Sequence, residues 1–409
     1  MGGYHMKKHL SAPLLAALFG FGFIAVSSAQ APPAASAAPA PANCAANRGL
    51  FSGPAALKSV DPQADGRVTF RLCAPDASAV FLASTDLPGI VPFGASTPGL
   101  AMTRGADGLW SVTTDKPVPP DNYRYNFLVN GAVVPDPQAS TFSKERFGTR
   151  STFEMPGAAG AFQTYDRNVP HGLVSVFEYW SSSLGIKRSA YVYLPPGYAR
   201  NSRRYPVLYL VHGAGDSQDE WTSTGHAHYI LDNLIAAGKA RPMIIVMPAG
   251  HTPDRPGANM LGNQDFGNDL HKDLIPAIDA TFRTEAKAQS RAMAGLSMGG
   301  AHTIQFGLPR PEIFRYIGVF SMGLGMGGNQ DDIKRYEQQN SAALARAAKD
   351  MKLVYYAMGK EDFLYGTVAP TRAILDRAGI GHVYNESGGG HTWINWRRYL
   401  ADFAPRLFR

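Results

Sequence analysis

Cysteine is nearly absent from this sequence, with Cys44 and Cys73 the only two among 409 residues. That excludes a small disulfide-built scaffold and a multi-cysteine metal centre. In an oxidising compartment two thiols are able to form one structural bridge, but spacing alone supplies no geometry and their pairing stays open. Charge is sparse as well: 17% of residues are Asp, Glu, Lys or Arg, the net charge is +7, and basic residues form nothing longer than pairs such as Arg203-Arg204 and Arg397-Arg398. A nucleic-acid-binding face needs a basic stripe, so no nucleic-acid partner is expected. Internal repeats and acidic tracts are also missing. What is present is a 45% apolar composition in a chain long enough for a full core and two domains.

The one long hydrophobic run lies near the start, where Lys7, Lys8 and His9 precede Leu10 to Val26 and the run closes on Ser27-Ser28-Ala29. Basic, then apolar, then small is the order of a signal peptide, expected over residues 1–29. The run is short for a membrane span and is interrupted by Pro13. The mature chain is therefore expected to be exported, periplasmic or secreted, and unattached to membrane after cleavage. Residues 30–48 are rich in Ala and Pro, a composition of extended spacers.

From 49 to 160 the pattern has period two. Val68, Phe70 and Leu72 alternate with Thr69 and Arg71, and Tyr123, Tyr125, Phe127 and Val129 run into Asn130-Gly131, a favoured two-residue hairpin turn. An antiparallel β-sandwich is predicted, with Trp110 in its core. From 165 to 409 the pattern changes to continuous apolar runs, Val207 to Val211, Met243 to Met247, Arg291 to Ala294, Tyr316 to Phe320 and Leu353 to Met358, separated by amphipathic stretches. Strands buried on both faces of a mainly parallel sheet read this way, so an α/β domain is predicted.

Gly295-Leu296-Ser297-Met298-Gly299 fits a nucleophile elbow, where a strand turns sharply into a helix and presents a serine hydroxyl. Glycines flank the serine because side chains there would collide. The motif is weak by itself, but it follows a predicted strand and precedes a predicted helix. A serine nucleophile needs a base and that base an acid, which in this architecture follow in the order Ser, acid, His. Asp362 follows the strand Leu353 to Met358, with Glu361 beside it as the alternative, and His391 follows Gly388-Gly389-Gly390 ahead of a last helix. The oxyanion donors expected are the backbone N–H groups of Met298 and of Ala214, the latter in the glycine-rich His212-Gly213-Ala214-Gly215. Trp221 and Trp393, which follow the oxyanion loop and the histidine, are candidate stacking surfaces for an aromatic acyl group, or else core residues.

Two other patterns compete. Gly323-Leu324-Gly325-Met326-Gly327-Gly328 satisfies a dinucleotide-binding fingerprint, but it comes late in the sheet and its following helix has little apolar face, so an active-site loop is the better reading. His226, His228, His251 and His271 carry no accompanying carboxylate spacing and read as capping or solvated side chains, not metal ligands.

Four segments, RSAYVYLPPGY at 188–198, YPVLYLVHG at 205–213, AGLSMGG at 294–300 and GGHTWINWRRYL at 389–400, resemble the enterochelin-esterase-like α/β-hydrolases. That group includes the feruloyl and acetyl-xylan esterases of carbohydrate esterase family 1. GRVTFRLCAP at 66–75 and DGLWSV at 107–112 resemble immunoglobulin-like early-set modules related to family 48 carbohydrate-binding modules, although Cys73 stands where an aromatic residue is expected. The resemblance implies an α/β-hydrolase domain behind an all-β sandwich, acting through Ser297, Asp362 and His391 without metal or cofactor. Its substrate would be a small or polysaccharide-borne ester, feruloyl or acetyl, with the sandwich serving presentation of that substrate and not the chemistry. The alternatives are a siderophore ester hydrolase and, in another class, a non-catalytic carbohydrate-binding protein.

Overall fold

A computed structural model describes Cys44 and residues 57–91, 96–254 and 263–409. The expected signal peptide at 1–29 lies outside the described residues, as does the spacer at 30–48 apart from Cys44. No helix among the described residues is long and apolar enough to cross a membrane.

The first part contains ten short strands: β1 (Val60–Pro62), β2 (Val68–Cys73), β3 (Val80–Ala83), β4 (Leu100–Ala101), β5 (Thr103–Arg104), β6 (Leu109–Thr113), β7 (Asp121–Val129), β8 (Ala132–Val134), β9 (Thr141–Glu145) and β10 (Gly148–Met155). They form two antiparallel sheets, β1-β2-β6-β5 and β4-β3-β7-β10-β9, with β8 paired to β7. The core between them takes Val68, Phe70 and Leu72 from β2 and Tyr123, Tyr125 and Phe127 from β7, as the period-two pattern requires. Trp110 is buried there with its indole N–H on the Ala74 carbonyl at 2.9 Å. Asn130 and Gly131 both have positive φ, 51° and 87°, which matches the twist of the β7–β8 hairpin. Cys44 and Cys73 are bonded, which fixes Cys44 at the end of β2.

The second part is an eight-stranded sheet of β11 (Leu173–Ser181), β12 (Ile186–Leu194), β13 (Val207–Val211), β14 (Ile244–Pro248), β15 (Arg291–Leu296), β16 (Tyr316–Phe320), β17 (Leu353–Gly359) and β18 (Val383–Ser387), in the order β11-β12-β14-β13-β15-β16-β17-β18. The long antiparallel β11–β12 hairpin at its edge was not among the predicted strands. Its outermost strand exposes Leu173, Val174, Val176 and Trp180, so no continuous buried run marks it. From β14 to β18 the strands are parallel. Val207, Tyr209 and Val211 of β13 face one core while Leu208 and Leu210 face the other, which explains the unbroken apolar runs. Because the chain steps from β13 out to β14 and back across to β15, the loops leaving β13 and β15 diverge at a switch point, where an α/β sheet opens a crevice for ligand.

Candidate active site

Ser297 stands between β15 and the helix Met298–His302 with φ 50° and ψ −117°, a backbone state that costs a non-glycine residue about 1–3 kcal/mol. The surroundings impose it. A Cβ on Gly295 would lie 2.4 Å from the Gly299 carbonyl carbon, and one on Gly299 would lie 2.3 Å from the Val211 carbonyl oxygen. The elbow is thus packed directly on the end of β13, and Ser297 N–H donates to the Phe320 carbonyl of β16 at 3.0 Å. The serine is half-buried among fully buried neighbours.

Asp362 lies just beyond β17 and His391 just beyond β18, both buried. His391 Nδ1–H donates to both Asp362 carboxylate oxygens, each at 3.0 Å, and one of them also accepts from Leu364 N–H at 2.9 Å. Glu361, the alternative acid, is exposed. The glycines before His391 are held in place: Asn395 Nδ2 donates to the carbonyls of Gly388 and Gly390, and Glu361 N–H donates to Gly389. The Trp396 ring meets His391 edge-on at 5.0 Å while its N–H donates to Ser321 Oγ, the residue after Phe320. A short chain of contacts therefore connects the serine turn to the histidine. With Nδ1 on the carboxylate, Nε2 is the ring nitrogen that can accept a proton.

On the β13 side, Gly213 N–H is taken by Asp216 Oδ2 at 3.1 Å. The N–H groups of Ala214 and Met298 meet no acceptor among the described residues. His212 bridges Gly213 O through Nδ1–H and accepts Gly250 N–H on Nε2 at 2.9 Å. Acceptance at Nε2 needs the neutral ring, and burial pushes its pKa down to about 4. Among the other histidines weighed as ligands, no metal-holding cluster exists in the described residues.

Trp221 and Trp393 do not line the site. They are 1% and 0% exposed, pack edge-to-face at 5.1 Å, and sit beneath the loops, Trp221 bonded to Val211 O. Both belong to the core cluster on one face of the sheet, with Leu210, Leu296 and Phe320. Two aromatic residues that the sequence did not single out are exposed instead. Phe363, 60% exposed, stands 4.6 Å from the His391 ring, and Phe147, 86% exposed, tips the β9–β10 hairpin. The Gly323–Gly328 segment, with positive φ at Gly325, Gly327 and Gly328, borders a cleft of 830 Å³ beside the elbow helix, lined also by Gln305, Arg335, Gln339 and Asn340.

The sandwich reaches the same region through polar residues of β7 that the period-two pattern assigns to solvent. Arg124 donates to Asp86 through two nitrogens at 2.8 and 3.0 Å, to Glu145 at 3.0 Å and to Asp216 at 3.1 Å. Burial pushes the nearby Glu220 carboxyl up, against the pull of Arg124, and Ser143 Oγ donates to it. Arg397, in the helix Trp393–Phe403 that follows the histidine, is fully buried and donates to Thr224 O and Asn122 O and pairs with Asp121.

Residues 181–407 match the Esterase family. An endo-1,4-beta-xylanase/feruloyl esterase from Xylanibacter ruminicola is 33% identical over 354 residues, which cover 84% of this chain and 45% of that protein. The chain thus spans less than half the length of that relative. In solved structures, a CE1 ferulic acid esterase from Anaeromyces mucronatus superposes with a TM-score of 0.52 at 22% identity, covering 61% of this chain and 95% of the other. The enterochelin esterase from Shigella flexneri superposes with a TM-score of 0.61 at 16% identity, covering 86% and 95%. The likeness to these structures is one of fold.

Proposed function

The chain belongs to the Esterase family, and from that premise we propose that it hydrolyses carboxylic esters through an acyl-enzyme on Ser297, with feruloyl or acetyl groups on plant-wall polysaccharide as substrates. The observation that carries the reading is a strained serine at the β15 turn on one sheet with a buried His391–Asp362 pair bonded at 3.0 Å. In the reaction Ser297 Oγ attacks the ester carbonyl as its proton passes to His391 Nε2, and Asp362 stabilises the imidazolium. The N–H groups of Met298 and Ala214 receive the oxyanion. The proton then goes to the leaving alcohol, and water, activated by the same histidine, releases the acid.

Two features favour a phenolic acid on a sugar. The exposed Phe363 beside His391 offers an aromatic face to an aromatic acyl group. The cleft beside the elbow helix carries four amides, Gln264, Gln305, Gln339 and Asn340, together with Asp332 and Arg335, a mix of donors and acceptors that suits the hydroxyls of a glycan. The 33% identical relative carries both a xylanase and a feruloyl esterase in its name. The two-sheet region fits an immunoglobulin-like module at 49–160 preceding a hydrolase domain at 165–409, in a chain exported by residues 1–29. The second reading is a siderophore ester hydrolase, since the enterochelin esterase shares a fold over 86% of the chain, sandwich included.

Methyl ferulate, acetylated xylan and a catecholate trilactone compared under one set of conditions test this. The expected order in kcat/KM puts the first two ahead. A trilactone value about tenfold above both rejects the plant-wall reading for the siderophore one. Binding to xylan with no Ser297-dependent turnover of any ester makes the chain a carbohydrate-binding protein.

A further inference from the structure

We infer that Arg124 of the sandwich is a positioning residue for the chemistry itself: through Asp216 it sets the loop whose N–H group receives the oxyanion, so turnover of even a small soluble ester depends on the sandwich. The inference rests on the esterase reading above and deepens it.

Asp216 is shared between the two parts of the chain. One carboxylate oxygen accepts Arg124 Nη1–H at 3.1 Å, the other accepts Gly213 N–H at 3.1 Å, and Asp216 N–H donates back to Gly213 O at 3.2 Å. With Gly213 N–H so engaged, the turn offers the next N–H, that of Ala214, to the substrate side. Gly213 has no room to move: a Cβ on it would lie 2.8 Å from Leu296 Cδ1 and 2.9 Å from Asp216 Oδ2.

The sandwich grips this loop along its length. Arg146 N–H donates to Gly215 O at 2.9 Å, Ser217 Oγ–H to Lys144 O at 2.5 Å, and Lys144 N–H to Asp219 at 3.1 Å. Arg124 also lies 5.9 Å over the Trp393 ring, two residues past the histidine. A module that only presented substrate would need no buried guanidinium against the oxyanion loop. A guanidinium is the group for this position because its planar fork holds Asp86 through two bonds and still reaches Asp216. Arg124 is itself buried, 7% exposed, so its removal is expected to act through the loop and not on substrate binding.

The full chain carries the test, with Arg124→Met and Arg124→Lys compared with wild type in hydrolysis of para-nitrophenyl acetate and in amide hydrogen exchange of residues 211–220. Displacing one oxyanion donor without deleting it is expected to lower kcat by about 10–100-fold in Arg124→Met while KM stays within about twofold. Arg124→Lys recovers part of the loss, and exchange at 213–216 accelerates in both. A folded Arg124→Met with wild-type kcat and wild-type exchange at 213–216 overturns the inference. Where Arg124→Met fails to fold because its carboxylates are left unpaired, Asp216→Asn decides. It keeps an acceptor for Gly213 N–H but loses the charge that draws Arg124, and a kcat lowered about tenfold at constant KM is expected, with unchanged kcat the refuting result. A wild type with no Ser297-dependent turnover defeats the esterase reading alone, and hydrogen exchange in the Arg124 variants still decides the coupling.

Discussion

Gly299→Ala isolates the packing of the elbow from its chemistry. A Cβ at this position would stand 2.3 Å from Val211 O and 2.7 Å from both His212 O and the Val211 carbonyl carbon. All three atoms are backbone at the end of β13, so no side chain can rotate away. Restoring an ordinary contact requires the elbow helix and β13 to separate by about 1 Å, and because Ser297 sits on one side and the loop proposed to hold the oxyanion on the other, a misplacement of that size is expected to cost about 100-fold in rate. The helix around residue 299 tolerates alanine well, so the backbone separation is the dominant effect. The matching control is Gly215→Ala, in the same loop, where an added Cβ meets nothing within 4 Å and no positive φ is needed. The assay is kcat/KM for para-nitrophenyl acetate, with circular dichroism to establish folding. Wild-type kcat/KM in a folded Gly299→Ala, or an equal loss in Gly215→Ala, refutes the reasoning.

Asp362→Asn is expected to lower kcat by about four orders of magnitude or somewhat less through loss of tautomer control, whereas Glu361→Gln, on an exposed side chain, leaves it within about twofold; the reverse result in paired kinetics would transfer the acid role. Arg397→Met strips the buried Asp121 of its partner and is expected to cost about 3–5 kcal/mol in denaturant unfolding, with a loss below about 1 kcal/mol counting against the buried pair as a fixture of the fold. His212 is held neutral in the folded chain with its pKa down to about 4, while the unfolded chain takes up its proton near 6.5. Stability from this group is therefore complete above 6.5 and declines as pH falls from there to 4, by about 3 kcal/mol in all, and a denaturation midpoint that is flat from pH 7 to pH 5 would contradict it.

Much of the architecture was legible because it depends on local chemistry. Alternation at Val68, Phe70 and Leu72 announces a strand with one buried face, and the unbroken Val207 to Val211 announces one buried on both. The serine turn was legible for a steric reason, since only glycine fits at 295 and 299. Asp362 was separable from Glu361 only in three dimensions, where one carboxylate meets His391 and its neighbour faces water. Trp221 and Trp393 show the opposite hazard: proximity in sequence to a loop and a histidine gave no information on which way an indole packs.

By itself, then, the amino-acid order determined the strand types, the succession of two antiparallel sheets and an α/β sheet, and the tight turn at Ser297, because each follows from periodicity, turn sterics or the direction of the chain. Tertiary structure alone decided what becomes of the alternate face of β7. Asn122 and Arg124 occupy positions that period two assigns to solvent, yet every residue from Asp121 to Phe127 is buried. Their partners, Asp216, Ser223 and Thr224, lie about 90–100 residues further along, where the loop between β13 and β14 begins. A polar residue on an alternating strand has the same local signature whether water or a distant part of the chain covers it, and only tertiary packing distinguishes a solvated arginine from a buried one bonded to the loop after β13.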